Sequence, residues 1–507
     1  MKLSKIISII TVAGITVSLF SGCGGDKNIS DSGSSDKPVL KVLQMYTKED
    51  VNNHIIAKLL EERTGYKINY ETLPQDKPYD KLNLLLAGGE SYDVVSMGNN
   101  KNVYAKYAAN GALFDLQPLL DKHGENLKTK ISQKSFDILK VNDKQYGIPN
   151  TSTVGVSAGI LIRTDWLKKV GMELPTTIDE FTKVLSAFKD KDPGNNGAEK
   201  NAPFVMTSEN TFVPNIQGAF GLATDWQPSD GKLVANVTRP EFKEYLHYLR
   251  SLYKGGLIDK EFAVYKAVNA KEKFTSGQAG AIILGWFDMQ TVMDSLKKNQ
   301  PEATCAYVPL LKNKDGDSAI ALAGAGVDKI IFIPKSSSNP EHAMKWMNAK
   351  LDDETFKLYT IGEEGVHYKM ENGKYLPILP KFFEDRNASS IYLTGIDEAK
   401  YTGYWQARIR KEESIFNSWN YLNNDEEYKK HQVMDVISYA PYIADYSNNV
   451  QTISVLVNDF MLKEIVSDEP IDAAVDKFVE KWRSQGGKSM EDSLNEWYKT
   501  VKDNITQ

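Results

Sequence analysis

Lys81-Leu82-Asn83-Leu84-Leu85-Leu86-Ala87-Gly88-Gly89-Glu90-Ser91-Tyr92-Asp93-Val94-Val95 contains the change of period on which the fold turns. Its leucines continue a helical stripe that begins at Tyr79, Gly88-Gly89 ends the helix, and Tyr92 to Ser96 is a short apolar strand. Upstream, Val39 to Met45 is β-rich, and Asn52 to Thr64 places Ile55, Ile56, Leu59 and Leu60 at helical spacing before Gly65. Lys67 to Thr72 reads as a further strand. The order β-α-β-α-β predicts an α/β fold with a parallel, doubly wound sheet and ligands at the carboxyl ends of its strands.

A chain of 507 residues exceeds one hydrophobic core, so two or three lobes are expected, and 41 % apolar residues suit a soluble globular protein. The net charge of −6 argues against nucleic acid and against a polybasic membrane patch. The first residues have the layout of an export signal: Lys2 and Lys5, an uncharged apolar run from Ile6 to Phe20, then Ser21-Gly22-Cys23. That run is shorter than the ~20 residues a spanning helix needs. Leu19 to Cys23 resembles the lipobox of bacterial lipoproteins, with Phe20 in the place usually held by leucine and Leu19 one position early. The resemblance implies that residues 1–22 are a signal peptide and that the Cys23 thiol is lipidated; an ordinary cleaved signal is the alternative. Residues 23–38 are nearly all Gly, Ser, Asp, Lys and Asn and read as a flexible tether, placing the folded body at the outer face of the cell membrane. Cys305 is then the one spare thiol, which rules out an internal disulfide, and the six histidines show no metal-ligand spacing.

Further along, Thr177 and Glu180 make a capping box before Phe181, Val184, Leu185 and Phe188 at i, i+3, i+4 and i+7. Pro240 to Lys254 is a helix with Phe242, Tyr245, Leu246, Leu249 and Tyr253 on one side. Ser338 to Glu341 is read as a second capping box, and Ala306 to Leu310 as a strand toward the first lobe. Ile471 to Arg483 and Ser489 to Val501 are amphipathic helices that brace the lobes.

Several stretches together resemble the family 1 extracellular solute-binding proteins, the capture subunits of ABC importers. They are Lys81 to Val95, Tyr146 to Asn150, Arg163 to Gly171 with Leu174 to Phe181, Leu252 to Asp259, Phe274 to Trp286, and Asn339 to Met347 with Tyr359 to Tyr368. The resemblance runs from about Val39 to Tyr368 and more loosely beyond. It implies a two-lobed, type II periplasmic-binding-protein-like fold, each lobe a sheet flanked by helices, hinged by several crossover segments. Lobe 1 would comprise residues 39–150 and 306–380, and lobe 2 mainly residues 151–305 and 381–507. In the family the closed, loaded form docks on a membrane permease whose separate ATPase powers uptake, and oligosaccharides are the usual cargo at this length.

The candidate ligand residues follow from that frame. Trp286 leaves a buried strand through Gly285, and an indole suits the C–H face of a pyranose; the alternative is that it plugs the second lobe. Trp405 lies in an aromatic run from Tyr392 to Tyr421, where neighbouring Tyr404 and Trp405 cannot share one helix face, and Trp405 is the favoured cleft residue. Trp226, on a loop, can stack on a sugar or cover a lobe edge. Asp93 is either a turn residue or part of the cleft lip. Asn150 and Thr151, with Ser152 and Thr153, follow the first crossing at Gly147-Ile148-Pro149 and face the cleft or are plain loop. Tyr368, with His367, follows a glycine-bounded loop and is placed at the cleft or in the core. Asp192 to Asn201 occupies the position of a calcium loop in many relatives. It keeps Asp192, Asn196 and Gly197, but Gly194, Lys200 and Asn201 replace ligands, so a plain turn is expected, no cofactor is assigned, and calcium near Asp192 and Asn196 stays open. No nucleophile elbow or phosphate loop is present. The resulting expectation is a monomeric, non-enzymatic lipoprotein that captures a carbohydrate and delivers it to an ABC permease. The alternatives are a surface carbohydrate-active enzyme, or a ligand-sensing partner of a membrane receptor.

Overall fold

The computed structural model describes residues 37–505 apart from residues 152, 154, 210 and 323–325. The signal peptide, Cys23, most of the tether and Ser152 lie outside the described residues.

The β-α-β-α-β segment builds most of one five-stranded sheet. Its order is Ile68–Thr72, Leu40–Gln44, Val94–Gly98, Val327–Phe332, Gly147–Thr151. The first three strands are parallel, with Leu40 opposite Ile68 and Val42 opposite Val94. Val327–Phe332 is antiparallel to both of its neighbours, so Gly147–Thr151 again runs with the first three. Gln44, Thr72, Gly98 and Thr151 therefore end at one edge, where Val327 begins. The crossover helices Ile55–Thr64 and Pro78–Ala87 start and stop near the limits their sequence signals set. Gly65, at φ 69°, takes the left-handed conformation that closes the first of them. Both faces of the sheet are buried, as a parallel sheet requires. Leu40, Val42 and Val94 pack with Ile56, Trp346 and Phe356, while Leu43, Val95 and Met97 pack with Tyr104 and Phe332.

The second sheet is four-stranded: Cys305–Tyr307, Ala158–Arg163, Ala279–Gly285, Ala202–Val205. Gly285 stands opposite Ala158, so the central strand ends where its antiparallel neighbour starts. The helix Ile178–Lys191 lays Phe181, Val184, Leu185 and Phe188 on this lobe, and Phe188 meets the buried Trp166 edge-on at 5.3 Å. Its cap is a displaced box: Thr177 Oγ1 accepts from Glu180 N at 3.2 Å, but the Glu180 carboxylate accepts from Thr176 N and Oγ1 at 2.8 and 2.9 Å. The helices Ala444–Val466, Ile471–Trp482 and Lys488–Ile505 pack with Pro240–Lys254 in the same core.

The structure differs from the expectations at three places. Cys305–Tyr307 does not lead to the first lobe. It pairs with Ala158–Arg163, and Val308, Leu310 and Leu311 are buried in the second lobe. Residues 382–407 pack on the first lobe, because the helix Glu398–Ile409 turns Tyr401, Tyr404 and Ala407 inward around Phe356. The chain changes lobe instead at the joint between Glu398–Ile409 and Glu413–Asn424. Finally, Ser338 does not cap a helix: Pro340–Lys350 is preceded by Asn339 with no side-chain cap, and Glu341 is held by Lys122 and His123 at 3.1 and 3.3 Å.

Among the described residues the chain passes from one lobe to the other between Thr151 and Ala158, between Tyr307 and Val327, and between Ile409 and Glu413.

Candidate functional site

A cavity of about 420 Å³ opens where the carboxyl edge of the first sheet faces the end of Ala279–Gly285. Asn150, Thr151 and Asp328 line it from the first sheet, Trp286 and Phe287 from the second, and Trp405 from the helix Glu398–Ile409. A further groove of about 310 Å³ shares Thr151, Thr153 and Tyr401 with it and continues to Lys134 and Glu398. The two adjoin through these shared residues as one trough, with room for a chain-like ligand.

Trp286 owes its position to the strand that ends at Gly285 and turns at once into the short 3-10 segment Trp286–Asp288. Gly285 lets the Phe287 ring fold back over the turn: a Cβ there would lie 2.5 Å from the tip of that ring and push the exposed side chain aside. The half-buried indole meets Phe287 at 5.4 Å and Trp405 at 5.8 Å, both edge to face. Trp405 in turn meets Trp419 at 5.5 Å. A row of rings thus runs from the end of the second sheet to the joint between the lobes. Tyr404, next to Trp405, is buried in the first core, so the two neighbours do face different ways.

Asn150 is 2 % exposed, and its Oδ1 has no hydrogen-bond partner among the described residues. An acceptor left unmade in a buried position is costly, so a donor supplied from the cavity would find it ready. Thr151 Oγ1 donates to Glu398 at 3.3 Å, and Glu398 also accepts from Ser135 Oγ and Ser132 N at 2.6 and 3.0 Å.

The sequence reading missed two cations in the lining of this cavity, Arg408 and Lys411, and a third behind it, Lys329. Arg408 Nη1 donates to Ser389 Oγ at 3.1 Å and Nη2 to the Asn387 carbonyl at 2.7 Å. Lys411 Nζ donates to Asn387 Oδ1, and Lys329 Nζ to the Ser390 carbonyl, each at 2.7 Å. Burial holds all three below their ordinary pKa values, and the Arg408 charge lowers Lys329 and Lys411 further. The one signal in the sequence is the basic run Arg408-Ile409-Arg410-Lys411 inside the aromatic segment.

The remaining candidates lie elsewhere. Asp93 precedes Val94–Gly98 and so sits at the amino edge of the sheet, away from the cavity. It is a buried staple that accepts from Lys41 N at 2.9 Å, Ser337 Oγ at 2.8 Å and Asn339 Nδ2 at 3.2 Å. Trp226 is buried in the second lobe, 6.0 Å from Trp482, and borders a separate cavity of about 370 Å³. Tyr368 is buried in the first core, with the Tyr375 ring at 5.2 Å and Lys357 Nζ 5.4 Å from its centroid. His367 Nδ1 accepts from Glu363 N at 3.0 Å, which leaves Nε2–H to donate to Asp385 at 3.1 Å. Burial pulls its pKa below the ordinary histidine value.

In the Asp192 loop the carboxylate is engaged by backbone N–H groups. Asp192 Oδ1 and Oδ2 accept from Asn196 N and Gly197 N at 3.0 and 2.7 Å, and Asn196 Nδ2 donates to the Gly277 carbonyl at 2.9 Å. Calcium needs six to eight oxygens turned toward it. Among the described residues no group of three or more His, Cys, Asp or Glu is placed to hold a metal ion. No helix among them is long and apolar enough to cross a membrane.

Residues 46–355 match the family described as bacterial extracellular solute-binding protein, and the chain belongs to that family. Lipoprotein LipO of Bacillus subtilis (strain 168) is 27 % identical over 509 residues, covering 96 % of this chain and 97 % of its own. The polygalacturonan/rhamnogalacturonan-binding protein YtcQ of the same organism is 25 % identical over 518 residues, covering 98 % of each chain. Among solved structures, the Streptococcus pneumoniae ABC-transporter substrate-binding protein FusA in complex with kestose superposes with a TM-score of 0.67. The match is 19 % identical and covers 92 % of this chain and 100 % of that one, and it shows a shared two-lobed fold.

Proposed function

We propose that this protein is the capture subunit of an ABC importer: it grips a carbohydrate of more than one ring between its lobes and passes it on unaltered. The observation that carries this reading is the contact of Trp286 with Trp405 across the cleft, because it brings a ring from the second sheet against one from the opposite lobe at the mouth of this trough. Aromatic faces suit the apolar faces of sugar rings, and the unpaired Asn150 Oδ1 suits a sugar hydroxyl. The names of YtcQ and FusA, one a polygalacturonan/rhamnogalacturonan-binding protein and the other solved with kestose, support a saccharide. The three passes between lobes suit closure about a hinge. Delivery to a permease and a lipid on Cys23 complete the proposal; the layout of residues 1–23 and the relative named as a lipoprotein support the anchor.

Calorimetry against a panel of neutral and acidic oligosaccharides, with chromatography of each mixture, tests this reading. Saturable binding with the sugar recovered intact is expected. Shortened sugar would establish a hydrolase or lyase, and no binding across the panel would overturn the carbohydrate assignment. Cys23→Ser should move the protein from the membrane fraction to the medium; retention that only detergent releases would contradict the anchor.

A further inference from the structure

Around the larger cavity of the trough the cations and acids differ in depth. Arg408 and Lys411 in its lining and Lys329 behind it are half-buried, whereas Asp328 and Glu412 are exposed; Glu398, half-buried in the narrower groove, already accepts from Thr151, Ser135 and Ser132. All three cations converge on residues 387–390, where they find only neutral acceptors: two carbonyls, one amide oxygen and one hydroxyl. Such partners satisfy hydrogen bonds and leave the charge in place. The acids at the rim are screened by water and salt, while charges set in a low-dielectric wall act strongly on whatever lies beside them. The wall also has donors to spare. A guanidinium carries five N–H groups and an ammonium three, of which Arg408 directs two at the wall and Lys411 one.

We propose that the saccharide is anionic, a uronic-acid oligomer whose carboxylate is received by Arg408 and Lys411 beside the Trp286–Trp405 pair. The proposal rests on the reading of this trough as the carbohydrate site. A neutral sugar would use the spare donors but leave the positive wall uncompensated; a carboxylate does both, through charge-assisted hydrogen bonds that are stronger than neutral ones. Lys329, which donates behind the same segment, adds to the field without reaching the cavity lining.

The test compares trigalacturonate with its fully methyl-esterified form, which keeps the ring skeleton and loses the charge. The full mature chain should bind the acid at least about tenfold more tightly at low salt, the order of one charge-assisted contact. That ratio should shrink toward about threefold in 0.5 M NaCl, and in Lys411→Gln at low salt, as an electrostatic preference must. The salt series on the unsubstituted protein decides the matter if Lys411→Gln fails to fold. Equal or tighter binding of the ester, or a ratio indifferent to both salt and Lys411→Gln, overturns the proposal. Binding of neutral oligosaccharides with none of the acid overturns it while the carbohydrate reading stands; no binding of any sugar overturns both.

Discussion

Two tryptophan pairs of similar spacing occur in this protein, and they sit in opposite circumstances. Trp226 and Trp482 are 6.0 Å apart, 5 % and 1 % exposed, and both belong to the second-lobe core. Trp286 and Trp405 are 5.8 Å apart and half-buried, and their elements belong to different lobes. A pair inside one rigid body has a fixed separation and contributes to stability. A pair shared between two bodies changes its surroundings whenever the bodies move, and so is available to a ligand. The number of tryptophans says little about sugar binding; which lobe each is fixed to says much more.

The largest test of this contrast is Trp482→Ala. Removing a fully buried indole should cost about 3–5 kcal/mol of stability, read as a fall in denaturation midpoint, while the remaining folded protein keeps its ligand affinity. Lost affinity at unchanged stability would reverse the assignment of the two pairs. Trp286→Ala should do the opposite, weakening ligand binding by about 1–3 kcal/mol in calorimetry while lowering the ligand-free melting temperature far less than Trp482→Ala. A collapse in melting temperature with affinity intact would show Trp286 to be a plug of the second lobe.

Asn150→Ala sharpens the contrast further. Its Oδ1 has no partner among the described residues, so its loss should cost about 0.5–1.5 kcal/mol of ligand affinity. The smallest expected effect concerns His367, which belongs with the buried residues although it precedes a cleft candidate in sequence. Its folded pKa lies below the unfolded value, so between the two the unfolded chain binds more protons. Its contribution to stability is present above the ordinary histidine pKa of 6.5 and declines as pH falls below it. His367→Gln should flatten that part of the stability profile and leave ligand affinity as it was; a matched change in affinity would return His367 to the cleft.

Much of the fold could be read from sequence because its signals are local. Glycine at 65 and the pair at 88–89 stop helices, and the periods of the segments between them give the succession of the three parallel strands; the antiparallel Val327–Phe332, inserted from far along the chain, makes the sheet mixed rather than wholly parallel. The site was legible only in part. Trp286 could be placed beside the cavity because a strand ends at Gly285, and Trp405 because its neighbour Tyr404 had to face the other way. Trp226 stayed open between stacking on a sugar and covering a lobe edge because its partner, Trp482, lies in a helix far along the chain, and no local pattern joins them. Asp93 was left open between a turn and the cleft lip, although an acid that opens a parallel strand stands at its amino end, opposite the carboxyl edge. Arg408 and Lys411 left only the trace of a basic run. A cation at the end of a helix or in the turn after it looks like a solvated residue until tertiary packing brings the 387–390 segment over it.

The three passes of chain between the lobes set the kind of motion open to them. One connection would let two bodies swivel in any direction; three, spread along the facing edges, restrain twisting and sliding and leave a single soft bend. Under the proposed function each opening would retrace the path of the last. Because Trp405 rides on the helix that enters the third connection, it would return to the same seat beside Trp286, and the grip would re-form without a search.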